Sequence, residues 1–123
     1  MIIYASRTGN VRSIVNRLFE IDPTIQSSDI KATADMSEPF LLFTYTDAIG
    51  QVPQEVISFM NRNHQLCKGV IASGNTNFGK NFCKAADIIS ETYNVENLYK
   101  VDLRGKESDL HNIVKMYRER FTS

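Results

Sequence analysis

The chain has 123 residues, a formal net charge of +0 at neutral pH and 42% hydrophobic residues. This length predicts one globular domain over 1–123, and the neutral charge gives no long-range attraction to nucleic acid or to an anionic membrane. No apolar run approaches the roughly 20 residues of a bilayer span, and the first residues do not resemble a secretory signal. With only Cys67 and Cys83 and no CxxC motif, we expect free intracellular thiols, and the cytoplasm is the default location. The sequence leaves the oligomeric state open, with a monomer as the default.

Short apolar runs alternate along the chain with segments of helical periodicity. In chain order, the pattern predicts strands at 2–5, 40–44, 69–73 and 98–103, and helices at 11–18, 52–60, 82–93 and 110–121. The stretch 21–39 is rich in Ser, Thr, Asp and Pro, and we expect only one short edge strand there, near 24–26 or near 29–32. Strands alternating with helices predict an α/β fold, a doubly wound five-stranded parallel sheet with helices on both faces.

Ligands bind such sheets beyond the carboxyl ends of the strands, so the loop after each strand is the place to search. The first of these loops leads directly into a helix. It consists of Ser6, Arg7, Thr8, Gly9, Asn10 and Val11. A helix N-terminus presents unpaired N–H groups and the positive end of the helix dipole, which suits a phosphate. The alternative is an ordinary helix cap built from Ser, Thr and Asn.

The loops after the second and third apolar runs each carry an aromatic residue among polar ones. The second loop comprises Thr44, Tyr45, Thr46, Asp47, Ala48, Ile49 and Gly50. The third comprises Ser73, Gly74, Asn75, Asn77, Phe78 and Gly79. Tyr45 is suited to stacking on an aromatic ligand, although alone an incidental surface tyrosine is the favoured interpretation. The third loop suits a flat heterocycle with hydrogen-bonding edges, and its alternative is a turn with Phe78 folded inward.

The joint position of these loops at successive strand ends is more specific than any one of them. A phosphate loop, a tyrosine loop and an aromatic glycine–asparagine loop together indicate a site for flavin mononucleotide (FMN). The GxxxxGKN run at 74–81 lacks the Ser or Thr that follows the lysine of a P-loop, which argues against nucleotide hydrolysis. We expect no metal ligands and no catalytic side chain, because the cofactor would carry the chemistry.

The segments around these loops resemble the NrdI family. They are SRTGNV at 6–11, TYT at 44–46 with GQVP at 50–53, GVIASGN at 69–75 with NFG at 77–79, and LRG at 103–105 with Asp109. The resemblance runs nearly end to end apart from 21–39, and the block at 69–79 is its most specific part. It implies a short flavodoxin-like fold, with strand order 2-1-3-4-5, and a bound FMN.

The resemblance also implies a partner and a role. NrdI proteins serve class Ib ribonucleotide reductase, where reduced flavin reacts with dioxygen and the oxidant reaches the metal site of the small subunit, NrdF. An unidentified reductase would supply the electrons. By position, 6–11 would hold the phosphate, 44–50 would run beside the flavin, and 73–79 would cover its other side with Phe78 as the stacking ring. The alternatives are a short flavodoxin serving another redox partner and a flavin-free interaction domain on the same scaffold.

Overall fold

The computed structural model describes residues 1–33, 35–46 and 50–121, apart from the side chains of Phe78 and Lys80. The strands in these residues are β1 Ile2–Tyr4, β2 Ser27–Asp29, β3 Phe40–Tyr45, β4 Cys67–Gly74 and β5 Asn97–Asp102. The helices are α1 Asn10–Ile21, α2 Gln54–Asn63, α3 Lys84–Tyr93 and α4 Glu107–Phe121. Short 3₁₀ helices cover Ile30–Ala32, His64–Leu66 and Thr76–Asn81.

The strands pair in parallel in the order β2-β1-β3-β4-β5, which confirms the predicted doubly wound sheet. Successive strand residues point to opposite faces. Ile2 therefore packs with α1 and α4, whereas Ile3 packs with α2 and α3. On the second face Phe40 meets Phe59 edge to face, with ring centroids 5.5 Å apart. The central strands are buried on both faces, which explains their nearly continuous apolar runs.

The one short edge strand expected in 21–39 is present as β2, but it overlaps the second predicted place only at Asp29, and its sequence Ser-Ser-Asp explains this difference in position. It pairs with β1 alone, and its three residues are exposed or half-buried. No alternation of buried and exposed side chains therefore marks it in the sequence. The chain before it turns through a bond from the Ile25 N–H to the Asp22 carbonyl, at 3.0 Å. The chain after it turns because the Asp29 carboxylate accepts the Lys31 N–H at 2.9 Å, so 30–32 forms a 3₁₀ helix and the strand ends at Asp29.

Two other predicted boundaries are wrong for a common reason, a left-handed backbone. The helix predicted from 82 begins at Lys84, because Cys83 has a φ of 52°. The strand predicted to reach 103 ends at Asp102, because Leu103 also has a φ of 52°. Residues other than glycine rarely adopt this region of backbone angles, so the sequence pattern does not predict it. None of the helices in the described ranges is long and apolar enough to cross a bilayer.

Candidate functional site

The carboxyl ends of β1, β3 and β4 surround one cleft of about 210 Å³. Residues from all three predicted loops line it. They are Ser6, Arg7, Thr8, Asn10, Val11, Tyr45, Thr46, Ser73, Gly74 and Asn75, joined by Asn81 and Leu103. A main-chain hydrogen bond joins the second and third loops, because the Thr46 N–H donates to the Ser73 carbonyl at 3.1 Å. The predicted loops therefore meet in one crevice at the topological switch point of the sheet.

The start of α1 leaves hydrogen-bond donors free at the cleft. Gly9, with a φ of 94°, turns the chain into the helix and makes no side-chain cap. The Arg12 N–H is taken by Ser6 Oγ at 3.2 Å. The N–H groups of Asn10 and Val11 make no hydrogen bond to any residue in the described ranges. Two free amides at the positive end of a twelve-residue helix form a seat for an anion.

Two arginines sit near this seat and behave differently. Arg12 forms an ion pair with Asp29, with nitrogen and oxygen 2.9 Å apart, so its charge is partly neutralised. Arg7 lines the cleft, and its guanidinium carbon lies 5.3 Å from the centroid of the Tyr45 ring. The Tyr45 hydroxyl donates to Glu55 Oε1 at 3.3 Å. Stacking of a ligand on the ring face that Arg7 covers therefore requires Arg7 to move.

The two threonines of the second loop differ because the strand alternates its faces. Thr44 is fully buried in β3, where its hydroxyl donates to the Tyr45 carbonyl at 2.9 Å, and it does not line the cleft. Thr46 lines the cleft, and its Oγ1 is buried without a hydrogen-bond partner among the described residues. A buried hydroxyl without a partner is unfavourable by about 1–3 kcal/mol. A ligand with a polar edge would satisfy it.

The polar groups of the third loop are mostly paired within the protein. The Asn75 side chain accepts the Asn77 N–H at 2.9 Å, which starts the 3₁₀ turn. The Asp102 carboxylate accepts the Thr76 N–H at 3.1 Å. Ser73 Oγ donates to the Leu103 carbonyl at 2.7 Å. The third loop is therefore a rigid wall tied to the end of β5.

Several predicted site residues lie beside the cleft or outside the part of the chain that the structure describes. Gly9, Asn77 and Gly79 belong to the surrounding loops without lining the cleft. Gly50 packs against α3, where a Cβ would lie 3.0 Å from Lys84 Cδ. Asp47, Ala48, Ile49 and the Phe78 side chain lie outside the described residues.

Sequence reasoning missed Asn81 and Leu103 as cleft residues. In the sequence, Asn81 stands out only as the residue where a P-loop has Ser or Thr. The pattern makes Leu103 the last residue of a strand and the first of the LRG motif, although the Arg-Gly pair after it is a usable signal of a turn. Leu103 and Asn10 also line an adjoining depression of about 340 Å³, which extends along the start of α4 past Arg104.

The thiols and histidines contribute no reactive group to the cleft. Burial raises the pKa of Cys67 to about 11 and that of Cys83 to about 12, so neither forms a thiolate at neutral pH. His64 packs against the Tyr93 ring, with centroids 5.4 Å apart, and His111 lies 3.6 Å from Glu107 on α4. In the described part of the chain, no group of acidic, His and Cys side chains is placed to hold a metal.

Comparison with known proteins first defines the fold. The structure is similar to that of a short-chain flavodoxin associated with a non-canonical PDU bacterial microcompartment, with a TM-score of 0.71 and 22% sequence identity. The match covers 99% of this chain and 97% of the other. Together with the strand order, this makes the fold flavodoxin-like.

The sequence then defines the family. The family described as NrdI Flavodoxin like matches residues 2–115. The chain belongs to the NrdI flavodoxin-like family, as its motifs predicted. This family generally binds flavin and is associated with ribonucleotide reductase, so membership implies a flavodoxin-type redox function.

Proposed function

We propose that this protein binds FMN in the cleft and supplies oxidant to the radical metallocofactor of a class Ib ribonucleotide reductase small subunit of the NrdF type. A separate reductase supplies its electrons. Family membership supports the partner. The observation that carries the cofactor assignment is the cleft itself, where an anion seat on α1 and an unpaired hydroxyl on Thr46 face the same space.

The residues present fit a phosphorylated ligand with a polar ring. The amides of Asn10 and Val11 are free to receive phosphate oxygens, and the hydroxyls of Ser6 and Thr8 are at the same end of the cleft. At about 210 Å³ the cleft is smaller than the ~300–1,000 Å³ typical of small-molecule pockets. It adjoins depressions that share Ser6, Arg7 and Leu103 with it, which gives an elongated ligand further surface.

Each part of the site has a distinct task in this proposal. Bound FMN supplies the electron exchange with a reductase and with dioxygen. The start of α1 and Arg7 balance the phosphate charge, and Thr46 hydrogen-bonds the polar edge of the ring. The third loop excludes water along one side. Asp47, Ala48, Ile49 and Gly50 would run beside the ring, and Phe78 would stack on it, as in the family that the chain resembles.

FMN uptake and radical yield test the two halves of the proposal separately. The flavin-free protein is titrated anaerobically with FMN, and flavin fluorescence is followed to a stoichiometry of one. The loaded protein is then reduced and added with manganese and dioxygen to a cognate small subunit, whose tyrosyl radical is counted by electron paramagnetic resonance. We expect one FMN bound and a radical yield several times that without the protein.

The two negative results identify different alternatives. A protein that binds no FMN contradicts the cofactor assignment and favours an interaction domain on this scaffold. A protein that binds FMN without raising the radical yield contradicts the partner assignment and favours an electron carrier for another redox partner.

A further inference from the structure

Leu103 has a backbone conformation that leucine avoids. Its φ of 52° lies in the left-handed region, where the Cβ of an L-residue crowds the backbone. Glycine or asparagine is usual at such a position, and Gly105, two residues further, has a φ of 74°. Strained residues persist where surrounding contacts hold them, and they cluster at functional sites.

Main-chain and side-chain bonds from the third loop hold Leu103 in this conformation. Its N–H donates to the Gly74 carbonyl at 2.7 Å. Its carbonyl accepts from Ser73 Oγ at 2.7 Å. The preceding residue, Asp102, is bound through its carboxylate to the Thr76 N–H at 3.1 Å. The chain thus reverses direction at 103 under three restraints that come from nearly thirty residues earlier in the sequence.

Leu103 lines the cleft and is 44% exposed, while its backbone N–H and C=O are both hydrogen-bonded to the third loop. Among the described residues, one other large hydrophobic side chain is exposed to this degree, Phe19 at 49%, and it does not line the cleft. Leu103 stands between the cleft and the adjoining depression along α4, with Asn10 common to both. An exposed leucine in a concave surface gains free energy when an apolar part of a ligand covers it.

We propose that Leu103 is a specificity-determining residue, an apolar wall against which the carbon skeleton of the bound flavin packs. The inference rests on the proposed function, since it takes FMN to be the ligand of the cleft. It assigns the two ends of the cleft different tasks: the start of α1 binds the phosphate, and Leu103 favours a ligand that carries more than a phosphate. The left-handed backbone is retained because a relaxed φ would aim the side chain elsewhere.

The test measures two ligands on the same flavin-free proteins. FMN affinity is taken from quenching of flavin fluorescence, and inorganic phosphate affinity from its competition with FMN. The variants are Leu103→Ala, which removes the side chain and keeps the strain, and Leu103→Gly, which removes both. Leu103→Met restores an apolar wall, and Phe19→Ala is the matched control for loss of an exposed hydrophobic side chain.

We expect the dissociation constant for FMN to rise by about tenfold in both Leu103→Ala and Leu103→Gly. Phosphate affinity should change by less than about twofold in both, because free amides at the start of α1 hold that ion. The dissociation constant of Leu103→Met for FMN should stay within about threefold of the wild-type value. That of Phe19→Ala should equal the wild-type value. Thermal unfolding should separate the two truncations, with Leu103→Gly melting above Leu103→Ala, because glycine is unstrained at this φ.

Three results would overturn the inference. FMN affinity that is unchanged in both truncations rules out the wall. FMN affinity that differs between Leu103→Ala and Leu103→Gly assigns the effect to the backbone, because both variants lack the leucine side chain. Equal losses of affinity for FMN and for phosphate assign the effect to general damage to the cleft. A wild-type protein that takes up no FMN contradicts the proposed function itself, and this result is distinct from all three.

Discussion

The two ends of the cleft use their polar groups in opposite ways. At the start of α1, the N–H groups of Asn10 and Val11 have no acceptor among the described residues. At the rim formed by β4 and β5, Ser73, Asp102 and the Leu103 backbone satisfy one another or their neighbours. The first end is therefore ready to receive an anion, and the second is a rigid wall that presents an apolar side chain.

The cleft therefore binds the ligand with one set of groups and positions it with another. The free N–H groups at the start of α1 gain fixed partners only when a ligand accepts their hydrogen bonds. Paired groups contribute to stability whether or not a ligand is bound. Changes at the first end should therefore alter affinity more than stability, and changes at the rim should alter stability as well as affinity.

The largest expected effect comes from placing a negative charge in the anion seat. Thr8→Glu should raise the dissociation constant for FMN by about 100-fold, because like charges a few ångströms apart repel by about 1–4 kcal/mol. Fluorescence titration measures it, and urea unfolding should be nearly unchanged. Gln65→Glu, an exposed site with the same change in net charge, is the control. Equal effects of the two variants would mean that the start of α1 is no anion site.

The rim is tested by two serines that make the same kind of bond. Ser73 Oγ donates to a carbonyl at 2.7 Å, and Ser90 Oγ donates to the Val95 carbonyl at 2.6 Å. Ser73→Ala and Ser90→Ala should each lower the free energy of unfolding by about 1–2 kcal/mol in urea denaturation. Only Ser73→Ala should also weaken FMN binding. If Ser90→Ala weakens it equally, the rim has no special role in positioning Leu103.

The two threonines of the second loop provide the same contrast, between a free and a paired hydroxyl, within one strand end. Thr46→Val removes a buried hydroxyl without a partner among the described residues, so flavin-free stability should stay level or rise by up to about 1 kcal/mol. FMN affinity should fall about fivefold. Thr44→Val removes a paired hydroxyl, so stability should fall by about 1 kcal/mol with no direct effect on affinity. Stability loss in both variants would contradict the contrast.

The smallest effect concerns Asp109, at the start of α4. Hydrogen bonds from the Tyr99 hydroxyl and the Lys106 N–H hold the pKa of Asp109 below its ordinary value of 3.8. A lowered folded-state pKa adds stability above 3.8 that is lost as the pH falls through the folded value. Because Asp109 is partly exposed and solvent screens its interactions, Asp109→Asn should be only slightly destabilising, by about 0.5 kcal/mol near neutral pH. The difference from the wild type should shrink below about pH 4.

The measurement is urea unfolding of both proteins between about pH 3 and pH 7. Glu91→Gln, on the exposed side of α3, controls for the loss of one carboxylate. A difference for Asp109→Asn that does not vary with pH would contradict the linkage.

Periodicity predicted the sheet because its central strands are marked by buried apolar runs such as 40–44. It did not locate β2, since an edge strand of Ser-Ser-Asp is defined by its pairing with β1. The same dependence on distant residues explains why periodicity did not predict the turn at Leu103. Its left-handed turn depends on bonds from Ser73 and Gly74, far away in the sequence. Local propensity cannot reveal a conformation that tertiary hydrogen bonds impose.

Amide chemical shifts during an FMN titration show directly whether this cleft binds the flavin. We expect nitrogen-15 labelled protein to show its largest shifts at the N–H groups of Asn10, Val11, Thr46 and Leu103, saturating at one FMN per chain. The amide of Phe19, at the far end of α1 from the anion seat, should stay nearly constant. Saturable shifts confined to other surfaces, or no shifts at all, would contradict the assignment of this cleft as the flavin site.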